Sequence, residues 1–168
     1  PNMMAELEEL AREVIEAATA RGVHLATAES LTGGMLGNFL CTVPGASATY
    51  YGGVISYANE VKQTVLGVEE ELLAEQGSVD PLVAEQMAQG AARVCGAEFA
   101  ISTTGVAGPA PHDGKPVGRV YLGILTPEGS RSVEQQYSGD RREIRLQAAG
   151  DALHLLLGAL ISSSPASP

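Results

Sequence analysis

The chain of 168 residues contains no tryptophan, and aromatic residues make up only 4% of it. Its core must therefore be packed with aliphatic side chains. Cysteine is nearly absent. Cys41 and Cys95 stand far apart, with no CxxC and no metal-ligand spacing, and both read as small buried apolar residues. The three histidines, His24, His112 and His154, are isolated from one another and form no HExxH. That weakens a zinc site or a Cys–His nucleophile, and it predicts that a hydrolase built on this chain would use a base other than histidine. Positive charge is also scarce. Ten basic against twenty acidic residues leave a formal charge of −10, a balance that repels phosphate backbones and argues against nucleic acid as a partner. No apolar run approaches the ~18 residues of a membrane span. The first residues lack the basic-then-apolar pattern of a secretory signal. The expected location is cytoplasmic, without membrane attachment.

What is present is a foldable core and much glycine. Apolar residues make up 45% of the chain, charged residues 18%, and there are 20 glycines. This is the composition of a single globular domain with Gly-rich loops. Leu7, Leu10, Ala11, Val14, Ile15 and Ala18 recur at helical spacing, and Gly22 supplies the stop. Strands are predicted at Val23–Ala28, Tyr51–Tyr57 and Phe99–Thr103. Further helices are expected over Met35–Thr42, Asn59–Leu66, Glu69–Gln76 and from Asp80 to about Cys95. Asp80 followed by Pro81 is an N-cap with proline at N1. Val117–Leu125 and Ser130–Tyr137 flank Thr126-Pro127-Glu128-Gly129, a hairpin signature, and a last helix runs from about Asp140 to Leu160. The alternation predicts one three-layer α/β domain over residues 1–161, with a mixed, mostly parallel sheet containing one antiparallel hairpin. A Ser/Pro-rich tail over 162–168 is expected to fray. The chain opens on proline, which fits a processed start or an excised domain equally.

Three segments depart from ordinary scaffold sequence. In Glu29-Ser30-Leu31-Thr32-Gly33-Gly34 a strand runs into a helix through unpaired backbone N–H groups. Such a turn can hold a phosphate or the oxyanion formed when serine attacks an amide; it can also be a plain helix cap. Lys62 follows Ser56-Tyr57-Ala58-Asn59 and is one of two lysines, with Lys115, against eight arginines. A lysine, unlike an arginine, can give up its proton and serve as a base for serine, or it can be a solvated surface residue. Ser102–Gly118 holds a second Gly-rich loop at a strand end, where open α/β sheets bind ligands. Arg141, Arg142 and Arg145 crowd a helix start, where the dipole is already positive. Either Asp140 with Glu143, or a ligand phosphate, would remove that conflict.

Thr27–Gly34, Ile55–Lys62, Thr104-Gly105-Val106-Ala107-Gly108-Pro109 with Lys115-Pro116-Val117-Gly118, and Gly139-Asp140-Arg141 together resemble the CinA C-terminal domain family, in order and spacing, over about residues 5–160. The resemblance implies an αβα sandwich that forms a homodimer, either standing alone (the PncC type) or following an N-terminal CinA domain. It implies a metal-independent, cofactor-free nicotinamide-nucleotide amidohydrolase: nicotinamide mononucleotide (NMN) and water give nicotinate mononucleotide and ammonia, in pyridine-nucleotide recycling. A catalytically silent nucleotide-binding or regulatory module is the alternative. Carried over residue by residue, Ser30 is the nucleophile and Lys62 the base, while Ser47, Tyr57 and Thr104 are further polar positions of the active site. Thr32, Gly33, Gly34, Gly105 and Gly108 form the anion-binding turns, one for phosphate and the other for the oxyanion, and Arg141 or Arg145 is the phosphate partner. The loop Ala110-Pro111-His112-Asp113-Gly114 departs from the family pattern, which is richer in glycine and acidic residues and one residue longer.

Overall fold

The computed structural model describes residues 2–162, in which five strands and six α-helices alternate. Helix α1 (Met3–Arg21) starts on Asn2, whose side chain accepts from the Met4 N–H, and stops at Gly22, whose φ of 67° closes the last turn. Its buried residues are the six apolar positions read from the sequence. Strand β1 (Leu25–Glu29) follows, then α2 (Met35–Cys41), a 3₁₀ turn at Ala46–Ala48, and β2 (Tyr50–Ile55). Helices α3 (Asn59–Thr64), α4 (Glu70–Gln76) and α5 (Pro81–Cys95) lead to β3 (Phe99–Gly105). The hairpin β4 (Arg119–Thr126) and β5 (Gly129–Gln136) precedes α6 (Arg141–Ser162).

The sheet order is β2-β1-β3-β4-β5. The β1–β2 and β1–β3 pairings are parallel, whereas β3–β4 and β4–β5 are antiparallel. The expectation of a mostly parallel sheet with one antiparallel hairpin is therefore corrected: the sheet is half and half. Without a helix between β3 and β4, the segment 106–118 turns the chain straight back, and a parallel crossover would have needed one.

Side chains alternate across the sheet into two cores. Leu25, Phe99, Ile101, Leu122 and Ile124 pack with α1, α2 and α6. Ala26, Ala28 and Ala100 pack with α5 and with Leu66, Val68 and Leu73 on the other face. Small residues let α5 lie close: a Cβ on Gly123 of β4 would stand 2.1 Å from the Ala84 carbonyl oxygen. Helix α6 is long and apolar enough to cross a membrane by length and composition alone. Here Ile144, Ala148, Ala149, Ala152, Leu153, Leu156, Ala159 and Leu160 are buried against α1 and the sheet.

Two sequence expectations shift. Cys41 is exposed and Cys95 half-buried, each as the last residue of its helix, with Cys95 packed at the margin of the second core. Ser162 of the expected tail is the final residue of α6, and residues 163–168 lie outside the described residues.

Candidate active site

The three parallel strands deliver their carboxyl ends to one place. Ser30 follows β1 and donates its N–H to the Thr103 carbonyl of β3 at 3.0 Å. Ser56 follows β2 and donates its N–H to the Glu29 carbonyl at 2.8 Å. The chain leaves β1 for α2 on one face and returns to β3 from α5 on the other, so the crevice opens at a switch point of the sheet. A cleft of about 570 Å³ lies there, walled by Ser30 and Leu31, by Tyr57–Glu60 and by the loop Gly105–His112, with Arg141 at its edge.

Lys62 reaches this point from α3 and is 1% exposed. Its Nζ lies 3.0 Å from Ser30 Oγ, 2.7 Å from the Ser56 carbonyl oxygen and 3.0 Å from that of Tyr57. Among the described residues no carboxylate pairs with it. Burial alone pushes its pKa down to about 8. The geometry serves both protonation states. An ammonium donates to all three oxygens, whereas a neutral amine donates to the two carbonyls and turns its lone pair to the Ser30 hydroxyl. Of the two readings left open, the solvated surface lysine is excluded by this burial.

Glu29, which the sequence reading passed over as a candidate, organises the turn beside Ser30. It is 2% exposed. Its Oε1 accepts from the Gly34 N–H (3.2 Å), the Leu36 N–H (2.9 Å) and Thr32 Oγ1 (2.7 Å), and its Oε2 from the Gly37 N–H (3.0 Å). The start of α2 is thus filled by the chain's own carboxylate. The expectation that Gly33 and Gly34 offer their helix start to a ligand anion is corrected accordingly. Thr32 is fully buried between Glu29 and Thr103 and does not line the cleft.

The other expected residues divide. Tyr57, Gly105, Gly108 and Arg141 line the cleft with Ser30. Arg141 spans its mouth, donating to the Gly108 carbonyl at 2.5 Å and to the Tyr57 hydroxyl at 2.9 Å. Arg145 instead braces the Ser30 turn, donating to the carbonyls of Leu31 (2.8 Å) and Thr32 (3.2 Å). Thr104 is 1% exposed and donates to the Ser78 carbonyl, behind the cleft wall. Ser47 sits exposed on the 3₁₀ turn and borders a separate hollow with Cys41 and Tyr50. The crowding of arginines on α6 is met from within: Asp140 Oδ1 accepts the Glu143 N–H and Glu143 Oε1 accepts the Asp140 N–H, a reciprocal cap. Among the described residues no three His, Cys, Asp or Glu side chains are grouped to hold a metal ion.

Comparison with known proteins places the chain in a family. The CinA C-terminal domain family matches residues 7–160, nearly the whole described chain. The chain belongs to that family. A CinA-like protein of Anaeromyxobacter sp. (strain K) is 47% identical over 156 residues, 91% of this chain and 38% of its own length. A putative competence-damage inducible protein of Bacillus pumilus is 42% identical over 154 residues, 92% of this chain and 37% of its own. This CinA C-terminal domain thus spans less than two fifths of those curated relatives. Among solved structures, a competence-damaged protein (CinA) superfamily member from Klebsiella pneumoniae superimposes with a TM-score of 0.90 at 34% identity, covering 94% of this chain and 99% of that one. A competence/damage inducible protein from Agrobacterium tumefaciens gives 0.89 at 39% identity, covering 96% and 98%.

Proposed function

We propose that this CinA C-terminal domain is a serine amidohydrolase that deamidates NMN to nicotinate mononucleotide and ammonia. The observation that carries the reading is the 3.0 Å contact between Lys62 Nζ and Ser30 Oγ at the floor of the cleft. Lys62 lies where burial weakens its hold on a proton and no carboxylate stabilises its charge.

In the proposed cycle neutral Lys62 accepts the Ser30 proton as Oγ attacks the carboxamide carbon. The oxyanion that develops needs donors, and the N–H groups of Leu31, Ala107 and Gly108 border the cleft with no acceptor among the described residues. The resulting ammonium of Lys62 is held by the Ser56 and Tyr57 carbonyls until it protonates the amide nitrogen, which departs as ammonia. Water then attacks the Ser30 ester, giving its proton to Lys62, which returns it to Ser30 Oγ as the acid leaves. Arg141 at the cleft edge is the partner for the substrate phosphate; Arg145, occupied with the Ser30 turn, holds the nucleophile in place.

The test is ammonia release from NMN in the presence of EDTA. Wild type should release ammonia. Ser30→Ala and Lys62→Ala should each lose about 10³-fold or more, and the double variant little beyond either, as for residues acting as one unit. Binding of NMN by a folded wild type without ammonia release would instead establish the silent nucleotide-binding module.

A further inference from the structure

An NMN phosphate entering this cleft finds the usual protein anion sites already taken. Helix starts normally offer N–H groups and positive potential. Here α2 begins on Glu29, α5 on Asp80, whose Oδ2 accepts from Leu82 and Val83, and α6 on the reciprocal cap of Asp140 and Glu143. Short α3 also opens at the cleft, but it carries Glu60 in its first turn. Of the charged groups at the cleft, Lys62 is committed to Ser30 and two carbonyls, which leaves Glu60 and Arg141 on the lining, with His112 beside them. The Glu60 carboxylate offsets the Arg141 guanidinium, so Arg141 alone is a poor receptor for a phosphate monoester.

His112 is presented to the cleft by a small rigid device. Its N–H donates to the Lys115 carbonyl at 3.1 Å and its carbonyl accepts the Lys115 N–H at 2.8 Å, closing a two-residue turn. Asp113 (φ 49°) and Gly114 (φ 73°) both hold the left-handed conformation that such a turn requires. Lys115 Nζ anchors the turn to the Val79 carbonyl at 2.8 Å and so points its charge elsewhere. Nε2 of His112 lies 3.2 Å from Asp113 Oδ2. Nδ1 makes no hydrogen bond among the described residues. The ring can therefore lean on Asp113 through one nitrogen and offer the other to a ligand oxygen.

We infer that His112 is a second phosphate ligand of the cleft, beside Arg141 on its lining, and determines specificity for the phosphorylated substrate. This rests on the proposed deamidase reading for the choice of ligand. The charged groups facing it are Asp113 on its own turn, Glu60 on α3 and Arg141 on α6.

The experiment is calorimetric titration of the full chain and of His112→Gln with NMN and with nicotinamide riboside, which lacks the phosphate. The substitution should weaken NMN binding about tenfold, the worth of one charge-assisted hydrogen bond. Riboside binding should be the same for both proteins. Equal weakening for NMN and riboside, or unchanged NMN affinity, would overturn the inference. Ammonia release in the same preparations separates the two ideas. A wild type that deamidates NMN while His112→Gln binds it as well as before overturns the role of His112 alone. A wild type that binds NMN and releases no ammonia overturns the deamidase reading alone.

Discussion

Lys62 sits where desolvation weakens its proton affinity and three oxygens wait for whatever hydrogens it carries. Its pKa is lowered in the folded chain, so between about 8 and the usual lysine range the unfolded chain binds more protons. This group's contribution to stability therefore rises with pH across that window, and at neutral pH the buried ammonium costs the fold something. Activity follows the same titration in a simpler way. Plotted as log(kcat/KM), ammonia release should climb with unit slope at acid pH and level off above about 8. A profile flat from pH 6 upward would remove Lys62 as the base. Arginine cannot shed a proton at these pH values, so Lys62→Arg should be as inactive as Lys62→Ala. Glu29 offers a separate prediction. A glutamine there would turn an NH₂ toward backbone N–H groups that need an acceptor, in a site 2% exposed. Glu29→Gln should cost about 3 kcal/mol in urea unfolding.

At the scale of elements, α3 is only six residues long, and it carries Lys62 because neighbours hold it. The Val68 N–H donates to the Lys62 carbonyl, and Gly90 of α5 admits the Leu66 carbonyl so closely that a Cβ would stand 2.0 Å from its oxygen. Gly90→Ala should therefore push this segment outward. The expected result is a loss of about 2 kcal/mol in urea unfolding and a fall in kcat larger than any change in KM. How far such elements could be read from sequence depended on whether their signals were local. Asp80-Pro81 announced α5, and the Thr126–Gly129 turn announced the β4–β5 hairpin, because a cap and a turn are written in adjacent residues. The motifs around Ser30 and Lys62 marked both residues, yet their meeting spans 32 positions and only the sheet brings it about. Glu29 was passed over, and the burial of Thr32 and Thr104 was not foreseen, for one reason. Polar side chains at strand ends look exposed in sequence, and here each turns inward to a partner. The one local hint was a glutamate four residues before a Gly-Gly pair at a helix start, a short enough span for its carboxylate to fold back onto that helix start.

For the whole molecule the formal charge of −10 matters more than any single pair. The ion pairs of Arg12 with Glu9 and Glu16 lie on the exposed face of α1 and stabilise little, while the excess of carboxylates repels itself. Added salt should therefore raise the melting temperature at pH 7, as screening relieves that repulsion. A fall in Tm between low and moderate salt would mean that attractive pairs dominate instead. The two halves of the sheet also divide the labour. Ser30, Ser56 and the Gly105–Gly108 loop all hang from carboxyl ends of parallel strands. In the antiparallel half, Gly105 pairs with Val120 at the start of β4, and Ala100 with Leu125 near its end. The Pro127-Glu128 turn therefore lies at the opposite edge of the sheet, roughly 20–25 Å of strand away from the cleft. A fluorophore, affinity handle or surface tether attached at that turn would ride on the fold without touching its chemistry.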